Sequence, residues 1–438
     1  MARPTHQWDI SGVKHMAIEE EGSQPALSNV APIVDPMEAE RLVDSLKKFE
    51  LDEVGSVQWM EQHRKFEKLN IQAHQNAMRN SDPFVLEAFL TFNKIDVLIY
   101  DLILIEVWKE SVYPLLLDRL AGRNSMRLYF VLYHEATLVN LLEVFLYHRH
   151  VCEAAGEKMM ELVDYVGRKL ARLNNTSADF RQHHAEPQQE PLTLDNAKDF
   201  AEELASRTPA DELRRQCMDI EFRVCVSAVS ISRFLSEHAD AMPLSVVARI
   251  SDTHDFLILF VPLIENPPWT RRLASTGKWQ KLVDHKWGDI APIDLMKITK
   301  LEGQPWLALY YLLAKEVFRE RYHLNSFRKG QLLRVRKYLN EVMLDQLPFL
   351  ADIQRYMDEL ACTEVPEPSS FGGGVFLFQQ VAAVREAITK GRVWADVADR
   401  QVASVFTMTD RDDSDLLAMA DLYSDDLNEQ MGPTADDL

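Results

Sequence analysis

His134-Glu135 opens as a zinc metalloprotease helix does, with a ligand followed by a general base. That chemistry needs a second histidine one helical turn on, and Leu138 stands there, so a metal ligand is missing. His148-Arg149-His150 sets a permanent cation between two imidazoles, and no carboxylate at ligand spacing completes a site with them or with His183-His184. Gly372-Gly373-Gly374 lacks the Gly-Lys-Ser/Thr that finishes a phosphate loop, and Gly277-Lys278 is followed by Trp279 where a magnesium-binding hydroxyl belongs. There is no Gly-x-Ser-x-Gly elbow. Cys152, Cys217, Cys225 and Cys362 stand far apart with no Cys-x-x-Cys pair, which suits reduced thiols in the cytosol rather than a disulfide framework or a zinc knuckle. The acid pairs Asp412-Asp413 and Asp425-Asp426 sit in a tail that cannot hold a reacting group in place. No catalytic, cofactor-binding or metal-binding residue is expected, and the chain reads as a non-enzyme.

Asn266-Pro267-Pro268-Trp269-Thr270-Arg271-Arg272 suits recognition instead. A stiff proline pair presents an aromatic ring and two guanidinium groups, types enriched at interface hot spots. Pro267, Pro268, Trp269, Arg271 and Arg272 are therefore the candidate partner-binding residues. Beside that stands the alternative that Trp269 caps the end of a helical stack, since tryptophan is usually mostly buried.

Nearly every element that could position these residues is helical. Asp35-Pro36, an N-cap followed by proline at the first helical position, leads into Ala39, Leu42, Val43 and Leu46 on one face, and a second start follows near Ser56. Phe84 to Val107 is apolar nearly all round and predicts one inner helix, stopped or kinked by Pro114. Its most apolar part, Ile95 to Trp108, is interrupted by Asp96, Asp101 and Glu106 and is too short to span lipid. Helices are further expected over Met126 to His148, Glu157 to Leu173, Asp211 to His238, Leu244 to Phe260, Gln304 to Arg321 and Gly330 to Leu347, then after Pro348 to Cys362.

The exception is residues 266 to 288, whose prolines, glycines and tryptophans predict a small irregular or β-hairpin excursion, with two strands. The fold class is thus all-α, an α-solenoid-like array of helix pairs of the armadillo or HEAT kind, although no repeat recurs at a fixed period. Composition divides the chain into a flexible leader (1–35), an N-terminal helical array (36–173), a linker (174–192), a second array (193–362), a Pro/Gly linker (363–374), a helical segment (375–408) and an acidic tail (409–438).

The formal charge of -20 repels nucleic acid and anionic membranes, so neither is an expected partner. No apolar h-region follows the N-terminus, which agrees with a cytoplasmic location.

Several segments together resemble the axonemal dynein assembly factors that carry a C-terminal MYND-type zinc finger. They are Trp59-Met-Glu-Gln-His63, Glu67-Lys-Leu-Asn-Ile-Gln-Ala73, Ile105-Glu-Val-Trp-Lys109 with Val112-Tyr-Pro114, Tyr133-His-Glu-Ala136, Asn140-Leu-Leu-Glu143, Val151-Cys-Glu153 and Leu162-Val-Asp-Tyr165. Val261-Pro-Leu-Ile-Glu-Asn-Pro-Pro-Trp-Thr-Arg-Arg272 is the longest, and Val342-Met-Leu-Asp-Gln-Leu-Pro-Phe-Leu350 closes the set. The resemblance implies a cytoplasmic cochaperone-like adaptor for preassembly of the dynein arms of motile cilia or flagella. The implied partners are dynein heavy and intermediate chains, heat-shock chaperones, an FK506-binding immunophilin and a leucine-rich-repeat assembly factor. The family finger needs clustered Cys and His, and this sequence has no cysteine after Cys362, so no zinc is expected here. Two readings compete with this one, a generic helical scaffold without a ciliary role and an enzyme whose site is not written as a motif.

Overall fold

A computed structural model describes residues 32–120, 125–175, 180, 208–273, 276–283, 285–364 and 382–406. The expected leader, both linkers and the acidic tail, with His183, His184 and Gly372 to Gly374, lie wholly or largely outside those residues. Within them the chain is an all-α array with one small antiparallel sheet, the class that the helical periodicity implies. The described residues fall into two compact units.

The first unit draws on Gln24–Val151, Pro187–Ser227 and Ala382–Leu438. Asp35 accepts a hydrogen bond from the Glu38 amide (2.7 Å) and starts helix Pro36–Asp44, and Ser56 does the same for helix Val57–Met78. The stretch expected as one helix from Phe84 to Val107 is two, Phe84–Thr91 and Ile95–Ser111. Asn93 takes a left-handed conformation (φ 52°) between them, a backbone state that asparagine tolerates better than most residues. Lys94 fixes the joint by donating to the carbonyls of Asp44 and Leu46, both at 2.8 Å. Beyond Val112 the chain does not stop at Pro114 but re-enters a helix, Tyr113–Arg119, with the proline in its first turn.

The three acids that interrupt the apolar run each find a partner. Lys48 reaches Asp96 at 3.1 Å, Gln62 reaches Asp101 at 2.9 Å and Arg385 reaches Glu106 at 2.9 Å. Met126–Leu146, long and apolar enough to cross a membrane, has 72% of its apolar window buried inside the protein, as a core helix has. Helices Val384–Thr389 and Trp394–Ser404 belong to this unit despite their distance along the chain. Gln401 is fully buried, accepting from Trp108 Nε1 at 2.9 Å and donating to the carbonyl of Leu51 at 3.0 Å.

The second unit draws on Cys152–Glu186 and Ala228–Val381, so helix Pro209–Glu237 contributes to the first unit through Ser227 and to this one from Ala228. The expected helix from Leu244 to Phe260 is broken, with Leu244–Ala248 running into a wide π turn at Arg249–Thr253 before Phe256–Glu265 begins. Asp255 supplies the left-handed corner (φ 47°), held by Tyr322 and Arg328 on its two carboxylate oxygens at 2.9 and 2.7 Å.

The excursion near 266–288 has three strands rather than two, β1 Thr270–Arg272, β2 Trp279–Val283 and β3 Lys286–Ile290, antiparallel in that order. Lys286-Trp-Gly-Asp-Ile is short and mostly exposed, so no alternation marks it as a strand; its register is set by the turn at His285 (φ 63°) and by Leu282 opposite Trp287. Lys281 ties the sheet to helix Lys300–Ala314. Its buried ammonium donates to Glu302 (2.9 Å) and to the carbonyls of Leu295 and Lys297. Glu302 also closes a capping box with Thr299.

Candidate functional site

Helices Val57–Met78, Ile95–Ser111, Ser125–Leu146 and Pro209–Glu237 bury, inside the first unit, a set of polar side chains that most cores exclude. His63 and His134 meet through their Nδ1 atoms at 2.8 Å, and His63 Nε2 lies 3.7 Å from Glu67, which accepts from the Thr137 hydroxyl. Asp101 takes a bond from Gln62 and lies 3.9 Å from His134 Nε2. Trp59 stacks on His63 and meets His134 edge-on, closing the pair from water. One helical position on, Glu135 points to a different partner. It and Glu221 both accept from the ammonium of Lys109, and Cys225 approaches the other Glu221 oxygen at 3.8 Å.

Burial sets the protonation of this cluster, because it disfavours whichever form is charged. It pushes Glu67 up to about 8 against the Thr137 hydroxyl, and Asp101 up to about 7 against Gln62. It drives His63 down to about 3, helped by Arg64, and His134 well below the usual imidazole range, helped by His63. At neutral pH both imidazoles are therefore neutral, so one Nδ1 donates and the other accepts. Glu67 keeps its proton.

Two opposed pH slopes follow. The raised carboxyls contribute stability that is complete below their ordinary values and lost as pH rises toward 8; the lowered histidines contribute stability that is complete above 6.5 and lost as pH falls toward 3. Above pH 6.5 only the carboxyl slope remains. Stability is expected to fall between about pH 6.5 and 8, and Glu67→Gln, which keeps the shape without the proton, is expected to flatten that fall by on the order of 1 kcal/mol. Urea midpoints at the two pH values check it; parallel shifts in wild type and variant would show Glu67 ionised throughout.

The geometry does not present these groups to a substrate. His63, Glu67, Asp101 and His134 are at most 3% exposed, so the cluster acts on the fold that surrounds it. The second unit holds a comparable lock. Asp164 binds Arg249 and, at 2.8 Å, His254 Nε2, and although burial opposes it these bonds hold the Asp164 carboxyl below its usual range. The pair has the look of a catalytic Asp-His dyad, but the free ring nitrogen packs over Gly167, where an added methyl group would lie 2.4 Å from His254 Nδ1. Among the described residues no hydroxyl or thiol is hydrogen-bonded to that nitrogen, as a nucleophile would be.

The candidate recognition residues are brought together but mostly face inward. Trp269 and Arg271 are 2% and 4% exposed, Pro268 is buried, Pro267 is half-buried and Arg272 is exposed. Arg271 lies over the Trp287 ring at 4.1 Å and donates to Gln280 at 2.8 Å, and burial lowers it to about 10. Arg272 turns back onto the Gly277 carbonyl at 2.9 Å. Trp269 is thus buried, as the alternative weighed beside partner contact requires, while Arg272 is exposed.

His134 and Glu135 were legible as an incomplete metal motif, and no group of three or more His, Cys, Asp or Glu among the described residues is arranged to hold a metal ion. The four cysteines are free thiols, Cys152 and Cys225 buried, Cys217 half-buried and Cys362 exposed. What sequence reasoning missed is the buried network itself. Its signal was present as polar residues recurring on the inward face of Val57–Met78 and as the acids inside the Ile95–Trp108 run.

Over 329 residues, 75% of its length, the chain is 31% identical to the zinc finger MYND domain-containing protein 10 homolog of Drosophila melanogaster and covers 68% of that protein. No family model matches the chain, and no solved structure matches it. Identity of this extent over this share of both proteins shows the family: the chain belongs to the zinc finger MYND domain-containing protein 10 family.

Proposed function

We propose that the chain is a cytoplasmic, non-enzymatic adaptor that holds dynein heavy and intermediate chains, together with heat-shock chaperones, while dynein arms are assembled for motile cilia or flagella. The observation that carries this reading is family membership at 31% identity over 329 residues. The buried placement of the ionisable clusters agrees with it, because groups sealed from solvent shape a surface for other proteins and touch no substrate. An FK506-binding immunophilin and a leucine-rich-repeat assembly factor complete the proposed partner set. No covalent step and no cofactor are required of these residues.

The test is affinity purification of this chain from cells building motile cilia, read by mass spectrometry. Dynein heavy or intermediate chains enriched together with chaperones are the expected result. Recovery of chaperones alone, in equal amount from cells that build no cilia, would leave a general helical scaffold in its place.

A further inference from the structure

In a chain of net charge -20, the stretch from Lys315 to Lys337 carries eight Lys and Arg against two Glu. It lies in the second unit and comprises the short helix Glu316–Arg319, a connecting loop, helix Ser326–Val335 and the turn Arg336–Tyr338. Its neighbours neutralise only part of it. Asp240 serves Lys315, Asp255 serves Arg328 and Asp358 serves Arg336. Glu265 is shared by two cations, Arg334 and Lys337, which hold its carboxyl below the usual range although burial opposes them. Lys329 donates to the neutral carbonyls of Thr363 (2.7 Å) and Ala361 (3.3 Å), so its charge has no counter-charge there. The side chains of Arg319 and Arg321 form no hydrogen bond or ion pair among the described residues, and only their backbone amides are bonded, to the carbonyls of Lys315 and Phe318.

The segment that carries the surplus cations is tied down at Arg328. Arg328 donates to Asp255 and to the His323 carbonyl at 2.7 Å, its guanidinium lies 4.6 Å from the Tyr322 ring centre, and Asn325 caps the following helix. Beside them, Phe327 is 64% exposed. Guanidinium groups with open donors, next to an exposed aromatic ring, are what a carboxylate-rich chain with an apolar residue requires.

We propose that Arg319, Arg321, Phe327 and Lys329 form a docking surface for a short acidic segment of a partner protein, with carboxylates on the cations and an apolar side chain on Phe327. This rests on the reading of the chain as a protein-holding adaptor and gives it one contact chemistry. Charge complementarity selects the occupant. A nucleic acid or a membrane extends beyond the patch and meets the acidic remainder of the protein, whereas a short segment ends before it does.

Fluorescence anisotropy on the full chain tests this, with a short fluorescein-labelled peptide of Asp and Glu around a Leu pair as probe. Binding is expected to weaken with salt and to vanish for the same peptide made with Asn and Gln. Arg319→Glu with Arg321→Glu is expected to weaken it at least about tenfold at an unchanged melting temperature, since neither side chain is bonded in the fold, and Phe327→Ala by about tenfold. Equal affinity in the charge-reversed protein, or no binding to the unaltered one, overturns the proposal. So does tighter binding of a single-stranded oligonucleotide or of phosphatidylserine vesicles. Binding that appears only when the chain is shortened to end before residue 407 overturns it as well, because the occupant is then the chain's own acidic tail. The assay uses purified components, so its failure leaves the dynein purification unaffected, and a failed purification leaves the peptide result standing.

Discussion

Lys109→Ala is expected to cost about 3–5 kcal/mol of unfolding free energy, the usual loss when one partner of a buried ion pair is removed. The side chains left behind are Glu135 and Glu221, at 0% and 4% exposure, on two different helices. Without the ammonium, two carboxylates face each other in a dry interior, and they must take up a proton or draw water inward. A triple variant, Lys109→Met with Glu135→Gln and Glu221→Gln, removes these three charges together at similar volume and is expected to recover most of the loss. Urea unfolding followed by tryptophan fluorescence compares the three proteins. A loss under about 1 kcal/mol for Lys109→Ala would mean that solvent reaches the triad and that it is no part of the sealed core.

Trp269→Ala is expected to cost a similar amount, about 3–5 kcal/mol, as a large side chain deleted from a packed site does. Trp269 is 2% exposed, and its backbone carbonyl accepts from the Leu282 amide at 2.9 Å, which joins the proline segment to β2. Its Nε1 has no hydrogen-bond acceptor among the described residues, so Trp269→Phe keeps most of the packing and discards a donor left unsatisfied; a loss of no more than about 1 kcal/mol is expected. Partner binding, measured well below the melting point, is expected to survive Trp269→Phe. If Trp269→Ala keeps its melting temperature and loses a partner instead, the indole is an exposed anchor and not a cap.

The helices were legible where two local signals agreed. Asp35-Pro36 and Ser56 each combine a capping side chain with an apolar stripe, and both helices start there. Legibility failed where one signal stood alone. The apolar run from Phe84 to Val107 hides the corner at Asn93, because hydrophobicity is continuous across it and the corner depends on one backbone angle and on Lys94 reaching Asp44 and Leu46, 50 and 48 residues away. The same holds at Asp255, whose left-handed turn is secured by Tyr322 and Arg328, 67 and 73 residues away.

Residue types in the 266–272 segment suggest an interface, but type does not give direction. Trp269 and Arg271 alternate with Arg272 on a strand, so two of the three necessarily share a face, and burial chose that face. The acids inside the Ile95–Trp108 helix were read as breaks in an apolar pattern. Three-dimensional packing makes Asp101 the inner partner of Gln62 and the histidine pair and Glu106 that of Arg385, while Asp96 meets Lys48 nearer the surface.

The bond from Trp108 to Gln401 joins residues 293 positions apart and has a bearing on how the protein is born. At roughly 5–20 residues per second, a ribosome takes about 15–60 s to reach Gln401 after adding Trp108. Through that interval the first unit has no seat for Trp108, no carboxamide to fill the carbonyls around Leu51, and no Arg385 to answer Glu106. The nascent chain thus carries an open apolar and charged surface until Val384–Thr389 and Trp394–Ser404 emerge. A family proposed to shelter half-built assemblies is itself, during synthesis, a half-built assembly in need of shelter.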